Sequence, residues 1–355
     1  MTLPLIIYNL SAALFTVLIL YFLYRHQDER VVERSVLLAI VELCLLLLGG
    51  ILFPINGFGR IQLIAWGIFL HFPVYLVGNI AILRHQNKFY TNFLIGIVAL
   101  ILVVSVDAFL IEPQSLEVSR ISLNSEKITE PLSIALLADI QTDSPGLYEE
   151  RVMDLIKAED PDLILFAGDY LQIMDTDQYQ ESVSILNRLL IEADLSPPLG
   201  SVAVRGNVEK NGWVGIFQGL EVIVVDETQT YDLGPLTITG VDLLDSGNPD
   251  LEIPGSEKYH IILGHSPNYS LGEIEGDLLL AGHTHGGQVQ LPGIGPIMTL
   301  SVVPRSWASG LTEIQQEQFL IVSRGIGLER GYAPRLRFLC HPEVIIIDLL
   351  PVETD

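Results

Sequence analysis

Four apolar runs before residue 112 limit what this chain can fold into more than any other feature. They cover roughly residues 3–24, 36–53, 61–82 and 93–111. At a rise of about 1.5 Å per residue, about 20 residues cross a hydrocarbon core of about 30 Å, so each run can span a bilayer as a helix. Residues 1–111 are therefore expected to form a membrane domain of about four transmembrane helices. A cleaved signal peptide is the competing reading of the first run. That run has no basic start, and it ends in bulky Tyr21-Phe22-Leu23-Tyr24 where cleavage needs small residues.

Loop charge sets the orientation. The 25–35 loop carries Arg25, Arg30 and Arg34, and the 83–92 loop carries Arg84 and Lys88. No Lys or Arg precedes the first run, and the 54–60 loop has only Arg60. The bias of Lys and Arg toward cytoplasmic loops places 25–35 and 83–92 inside, and everything after Ile111 outside. Glu42, His71 and Asp107 fall within the runs. Ionisable groups in lipid are costly and are functional candidates by default. No partner is assignable from sequence, so local satisfaction is favoured, with Asp107 near an interface and His71 neutral.

The composition changes after Glu112. Residues 1–111 hold six of the 19 basic and five of the 43 acidic side chains, leaving 13 and 38 for the remainder, a net of −25. Affinity for nucleic-acid phosphates comes from Lys and Arg, so nucleic acid is not an expected partner. The plain role of this charge is solubility. Cys44 and Cys340 lie in different regions, which excludes a disulfide framework. Short β-branched runs at 132–138, 163–166, 201–204, 261–263 and 278–281 alternate with helical spacing at 147–158 and 179–191. Strands dominate from Leu291 and end in the run 344–350. The expected fold is an α/β domain with layered sheets over residues 132–350. Residues 112–131 supply a linker and first strand, and 351–355 a tail.

Polar residues stand where those strands stop. Asp139 and Asp169 close two of them; Asn207, His265, His283 and His285 follow three others. Ligands of open α/β sheets collect at the carboxyl ends of strands. Two Asp, one Asn and three His gathered there offer oxygen and imidazole donors suited to divalent metals. Singly, a Gly-Asp or Gly-Asn after a strand is more often a turn or a helix cap, and a lone His265 more often a satisfied polar residue. Gly282-His283-Thr284-His285-Gly286-Gly287-Gln288 is different, because two imidazoles flanked by three glycines have no obvious packing purpose.

In this order, Asp139-Ile-Gln, Gly168-Asp169, Gly206-Asn207-Val-Glu, Gly264-His265 and Gly282-His283-Thr-His285 resemble the calcineurin-like metallophosphoesterases. The Gly-His-Thr-His-Gly-Gly-Gln run, Leu291-Pro-Gly-Ile-Gly-Pro, Val322-Ser-Arg-Gly-Ile-Gly and Cys340-His-Pro-Glu resemble the bacterial membrane-anchored branch. The resemblance implies a four-layer αββα double-sheet sandwich and two divalent metal ions bridged by a shared carboxylate. Asp169 would bridge them. Asn207, His265 and His283 would complete one half-site; Asp139 and His285 would belong to the other. Asp139, Asp169, Asn207 and His283 would carry catalysis.

Two positions depart from the family pattern. Gln141 stands where the family has His, and Val208 replaces the His of Gly-Asn-His. Gln141 still offers a carbonyl oxygen, a neutral hard donor that should weaken its half-site and tilt it toward Mn²⁺ or Mg²⁺ over Zn²⁺. For the pair of ions Mn²⁺ is expected first, with Fe, Zn or Mg as alternatives. Asp143 could add to it directly or through water. Val208 can neither give nor take a proton, and a general acid typically contributes about 10²–10⁴-fold. Glu209 and His341 are the substitutes in reach of sequence reasoning; Arg205 and Arg324 are the cations available to a phosphate. No Ser or Cys occupies a strand-to-helix elbow. The expected function is metal-dependent hydrolysis of a phosphomonoester or phosphodiester, with the spans suggesting a lipid or envelope-linked substrate at the bilayer. The rival is a catalytically impaired metal-binding or sensing membrane protein on the same fold.

Overall fold

The computed structural model describes residues 3–53 and 55–352, so of the tail only 351 and 352 are described. Two units are distinguished, Met1–Leu110 with Tyr332–Arg335, and Ile111–Gly331 with Leu336–Asp355.

The first unit holds α1 (Leu3–Arg25), α2 (Val31–Leu52), α3 (Gly57–Leu83) and most of α4 (Lys88–Gln114), four helices long and apolar enough to cross a membrane. Each matches one of the four apolar runs and adds flanking residues, except that the second run extends one residue past α2, to Phe53. Asn56 and Asn87 cap α3 and α4, accepting from Gly59 N at 2.8 Å and Tyr90 N at 2.9 Å, which satisfies donors that a helix start leaves unpaired. A π-turn at Gly67–His71 interrupts α3 just before Pro73. Proline lacks an N–H and crowds the preceding turn, and the wider turn accommodates it. Two of the three ionisable residues have local partners. Glu42 Oε1 lies 2.5 Å from Thr16 Oγ1, and His71 Nε2 lies 2.8 Å from Asn9 Oδ1. Asp107 opens a second π-turn, Asp107–Ile111, near the end of α4.

The second unit holds two six-stranded sheets. The first contains β1 (Glu117–Ser125), β2 (Leu132–Leu137), β3 (Leu163–Phe166), β4 (Ser201–Val204), β5 (Val222–Val225) and β12 (Glu343–Pro351), in the order β1-β12-β2-β3-β4-β5. The second contains β6 (Gln229–Asp232), β7 (Leu236–Gly240), β8 (Tyr259–Leu263), β9 (Leu278–Ala281), β10 (Gly310–Gln315) and β11 (Gln318–Val322), in the order β10-β11-β9-β8-β7-β6. Strands β2 to β5 are mutually parallel, as are β7, β8, β9 and β11. β6, with sequence Gln-Thr-Tyr-Asp, escapes an apolar-run search because it pairs only as an antiparallel edge.

Ile134, Leu136, Leu165 and Val202 of the first sheet meet Ile238, Ile261, Leu263 and Leu280 of the second in a common core. Alternate residues point the other way. Ala135, Leu137, Ile164 and Phe166 pack with Val152 and Ile156 of α5 (Leu147–Glu159) and with Val183 and Leu186 of α6 (Thr176–Ala193). Because both faces are buried, the strands read as unbroken apolar runs rather than alternating ones. The outer face of the second sheet packs Ile262, Leu279 and Val322 with Leu251, Ile253 and Tyr269. Its cover is made of short pieces, such as the turn Pro267–Leu271, so the fourth layer of the αββα sandwich is thin.

Candidate metal centre

Five of the polar residues after these strands adopt a left-handed backbone: Asp139 (φ 51°), Gln141 (38°), Asp169 (54°), His283 (69°) and His285 (49°). Side chains with a Cβ resist that region by about 1–2 kcal/mol each. Strain on this scale persists where the surrounding structure fixes it, and it concentrates at functional sites. Here β2, β3 and β9, buried on both faces, hold the turns in place. Gly206 is needed for a second reason. A Cβ there would overlap Asp169 Oδ1 and its backbone nitrogen, so only glycine lets the β4 turn pass so close to the β3 turn.

Asp169, His265 and His283 each place a ligand atom within 4.8 Å of the others'. His265 Nδ1 donates to Ala167 O at 2.8 Å, which turns Nε2 toward Asn207 Oδ1 at 2.9 Å and Asp169 Oδ1 at 3.4 Å. The positive charge that a proton on Nε2 brings between these oxygens is the charge a bound cation would supply instead. His283 is oriented in the same manner, its Nε2 lying 3.1 Å from Leu300 O. Asp139 accepts from the His283 backbone N–H through both oxygens, at 3.0 and 2.9 Å. A Cβ built on Gly325 would lie 3.0 Å from Asp139 Oδ2 and 3.1 Å from His285 Nδ1, so these two side chains flank that glycine. His285 is buried with neither ring nitrogen hydrogen-bonded, and Gln141 Oε1 is buried without a partner. Buried polar atoms are rarely left so. The donor set fits divalent cations.

Electrostatics agree. Burial depresses the His265 imidazole, but the Asp169 and Asp139 carboxylates outweigh it and push its pKa up to about 10. A proton there does the work of a missing positive charge. Burial, and then the Arg337 charge, hold His285 well below the usual imidazole range. Burial, and then the His265 charge, lower the His283 imidazole. Both rings are therefore neutral and able to ligate at pH 7. Burial raises the Asp139 carboxyl.

Comparison with known proteins decides the family. The profile of the calcineurin-like phosphoesterases matches residues 132–287. The uncharacterized metallophosphoesterase YkuE of Bacillus subtilis is 30% identical over 259 residues, which cover 67% of this chain and 87% of that protein. The chain belongs to the calcineurin-like metallophosphoesterases. Members of this family depend on metal and hydrolyse phosphoric esters, and so does this phosphoesterase. An uncharacterized metallophosphoesterase of Aquifex aeolicus is 29% identical, over 67% of this chain and 94% of its own length. Phosphodiesterase YaeI of Escherichia coli is 26% identical, over 62% of this chain and 83% of its own.

Within the phosphoesterase centre, close contacts join Asp139, Asp169, Asn207, His265 and His283. Other residues singled out from sequence are engaged elsewhere. The Glu209 carboxylate accepts from three backbone N–H groups, Gly206 at 2.7 Å, Tyr170 at 2.6 Å and Asp169 at 3.1 Å. It clamps the β3 and β4 turns together and is not a free acid in place of Val208. Arg324 pairs with Glu343 at 2.6 Å and Glu117 at 3.1 Å, and His341 Nδ1 lies 4.0 Å from Glu117. Arg324 is thus a structural cation of the β1–β12 edge. Arg205 donates to Glu209 O at 3.1 Å and leaves its buried Nε without a hydrogen bond. Asp143 lies 3.6 Å from Arg330. Gln172, Glu329 and Arg337, which surround Gln141 and the loop beneath Asp139, carry no motif by which a sequence would mark them.

Proposed function

We propose a membrane-anchored phosphoesterase that hydrolyses a phosphomonoester or phosphodiester with two divalent cations, Mn²⁺ in first place and Fe, Zn or Mg as alternatives. The observation carrying the reading is the convergence of Asp169, His265 and His283, each with a ligand atom within 4.8 Å of the others', with Asn207 Oδ1 2.9 Å from His265 Nε2. Asn207, His265 and His283 form one half-site, Asp139, Gln141 and His285 the other, and Asp169 serves both. Divalent cations bound here polarise phosphoryl oxygens and acidify water. The residues do the rest. The Ala167 and Leu300 carbonyls fix the two imidazole tautomers. The Val208 N–H, at 3.0 Å from Asp169 Oδ1, steadies that carboxylate, a backbone role that survives the loss of the usual side chain. Exposed Asn207 marks the open side of the site, with Arg205 next to it in the chain as the cation proposed for the substrate phosphate.

The reading is tested with purified full-length protein, Mn²⁺, and aryl phosphodiester and monoester substrates. Turnover should vanish on chelation and return with Mn²⁺. Bound metal with no turnover on either class would favour the sensing protein. The charge of the loops supports an extracytoplasmic catalytic domain. A periplasm-sensitive reporter fused after Asp355 should therefore be active, and a cytoplasmic signal would overturn that orientation.

One feature supports a lipid-linked substrate. Residues 289–304 carry no charged side chain, within a region of net −25. Ile294, Ile297, Leu300 and Val302 are exposed there, and Leu300 O faces the His283 ring. The double substitution Ile294→Ser and Ile297→Ser is expected to lower kcat/KM on a lipid phosphodiester in micelles about tenfold. Roughly 60 Å² of lost apolar contact at about 25 cal/mol per Å² gives that factor. Turnover of a water-soluble aryl diester should not change; an equal loss on both substrates would remove the loop from lipid recognition.

A further inference from the structure

We propose that Glu329 and Gln172 are positioning residues that turn the Gln141 amide so that its oxygen, not its nitrogen, is presented to the metal centre. This rests on Gln141 being a donor of the centre, as proposed above.

A side-chain amide has two ends of nearly equal shape, and only the oxygen has lone pairs for a cation. An imidazole presents a lone pair from whichever nitrogen is unprotonated. A chain that uses Gln at this position needs something to choose the end. Glu329 and Gln172 make that choice. Gln141 Nε2 donates to Glu329 Oε2 at 2.9 Å and to Gln172 Oε1 at 3.2 Å. Gln172 is itself fixed, because its Nε2 donates to Glu329 Oε1 at 2.6 Å while its Oε1 also accepts from the Arg330 backbone N–H. Reversing Gln141 would set its oxygen against a carboxylate oxygen and an amide oxygen. The root of the arrangement is the Glu329 carboxylate, which offers two acceptors and, when ionised, no donor. The Gln141 backbone is held as well, its carbonyl accepting from Arg330 Nε at 2.9 Å. What remains is Gln141 Oε1, buried and without a hydrogen bond.

Glu329→Gln separates orientation from packing, since its shape is kept while its amide can turn either a donor or an acceptor toward Gln141. Mn²⁺ is titrated into full-length protein and followed by the electron paramagnetic resonance of the free ion. Loss of an outer partner of a metal ligand typically costs about 10–100-fold in affinity. Glu329→Gln is expected to weaken the affected Mn²⁺ site by that factor and to leave the other site unchanged, which also shows that the protein is folded. In a Gln141→His background, where no amide needs orienting, Glu329→Gln should change affinity by less than about threefold. Equal losses in both backgrounds, or none in either, would overturn the positioning role. Gln141→Ala reports on the underlying reading by itself: unchanged Mn²⁺ affinity there would remove Gln141 from the centre, whatever Glu329 does.

Discussion

Asp169→Asn is expected to abolish metal-dependent turnover, by on the order of 10³-fold or more, and to strip the centre of bound metal. The side chain keeps its size, and its remaining oxygen can still accept from Val208 N, now at 3.0 Å. What disappears is a carboxylate whose oxygen lies within 4.8 Å of ligand atoms on both His265 and His283. Removing a single preorganised group that stabilises transition-state charge typically costs about 10²–10³-fold, and a shared ligand serves two cations at once. The thermal behaviour should follow. Without metal, burial works against the Asp169 carboxylate, but the His265 charge and hydrogen bond and the Val208 N–H outweigh it and hold its pKa below the usual carboxylate range, so the ionised group stabilises the fold. Metal-free Asp169→Asn should therefore melt at or below the metal-free parent. The parent should gain about 2.7 kcal/mol of stability at a metal concentration 100 times its dissociation constant, and the variant none. Content of metal and turnover are read on the same preparation. A variant that retains both would remove Asp169 from the centre.

What the sequence disclosed, and what it withheld, follows from the range of the interactions. Helices α1 to α4 were legible because a long apolar run of helical length is a local property of the sequence. Strands β3, β4 and β9 were legible to the residue because burial on both faces leaves an unbroken apolar run bounded by glycine. Edge strand β6 was not, since a strand paired on one side has no such composition. Asp139, Asp169, Asn207 and the three histidines could be singled out because each follows a strand and a tight turn. Their partners could not. Ala167 O and Leu300 O, which fix two imidazole tautomers, are backbone atoms and leave no mark on side-chain identity. Glu329 reaches Gln141 across 188 positions of chain, a contact that only the fold creates. Glu209 shows the opposite failure: an acid in a suggestive place proved to be a clamp for backbone N–H groups.

Arg337→Met should cost about 3–5 kcal/mol of stability, although Arg337 lies outside every motif. It is fully buried. Its Nη2 donates to the carbonyls of Arg324, Gly325 and Gly327 at 2.8, 3.0 and 2.7 Å, and its Nη1 to Cys340 O at 3.0 Å. A guanidinium carries five N–H donors in a rigid fork, and this one is matched to oxygens that have turned inward to meet it. Methionine fills the volume and donates nothing, leaving several carbonyls buried and unsatisfied; breaking a buried charged network of this kind typically costs that amount. At about 2–4 °C per kcal/mol for a domain of this size, the melting temperature should fall by roughly 10 °C. The loss should reach the site as well. Ile326 N donates to Ala138 O at 3.0 Å and Gly327 N to Asp139 O at 2.7 Å, so the loop that Arg337 gathers is also the one that seats Asp139. Lysine restores the charge but not the fork, and Arg337→Lys should recover less than half of the stability. If Arg337→Met instead melts with the parent, water satisfies those carbonyls and the fork is dispensable. If Arg337→Lys melts with the parent, charge alone holds the loop and the geometry of the guanidinium is not what Asp139 depends on.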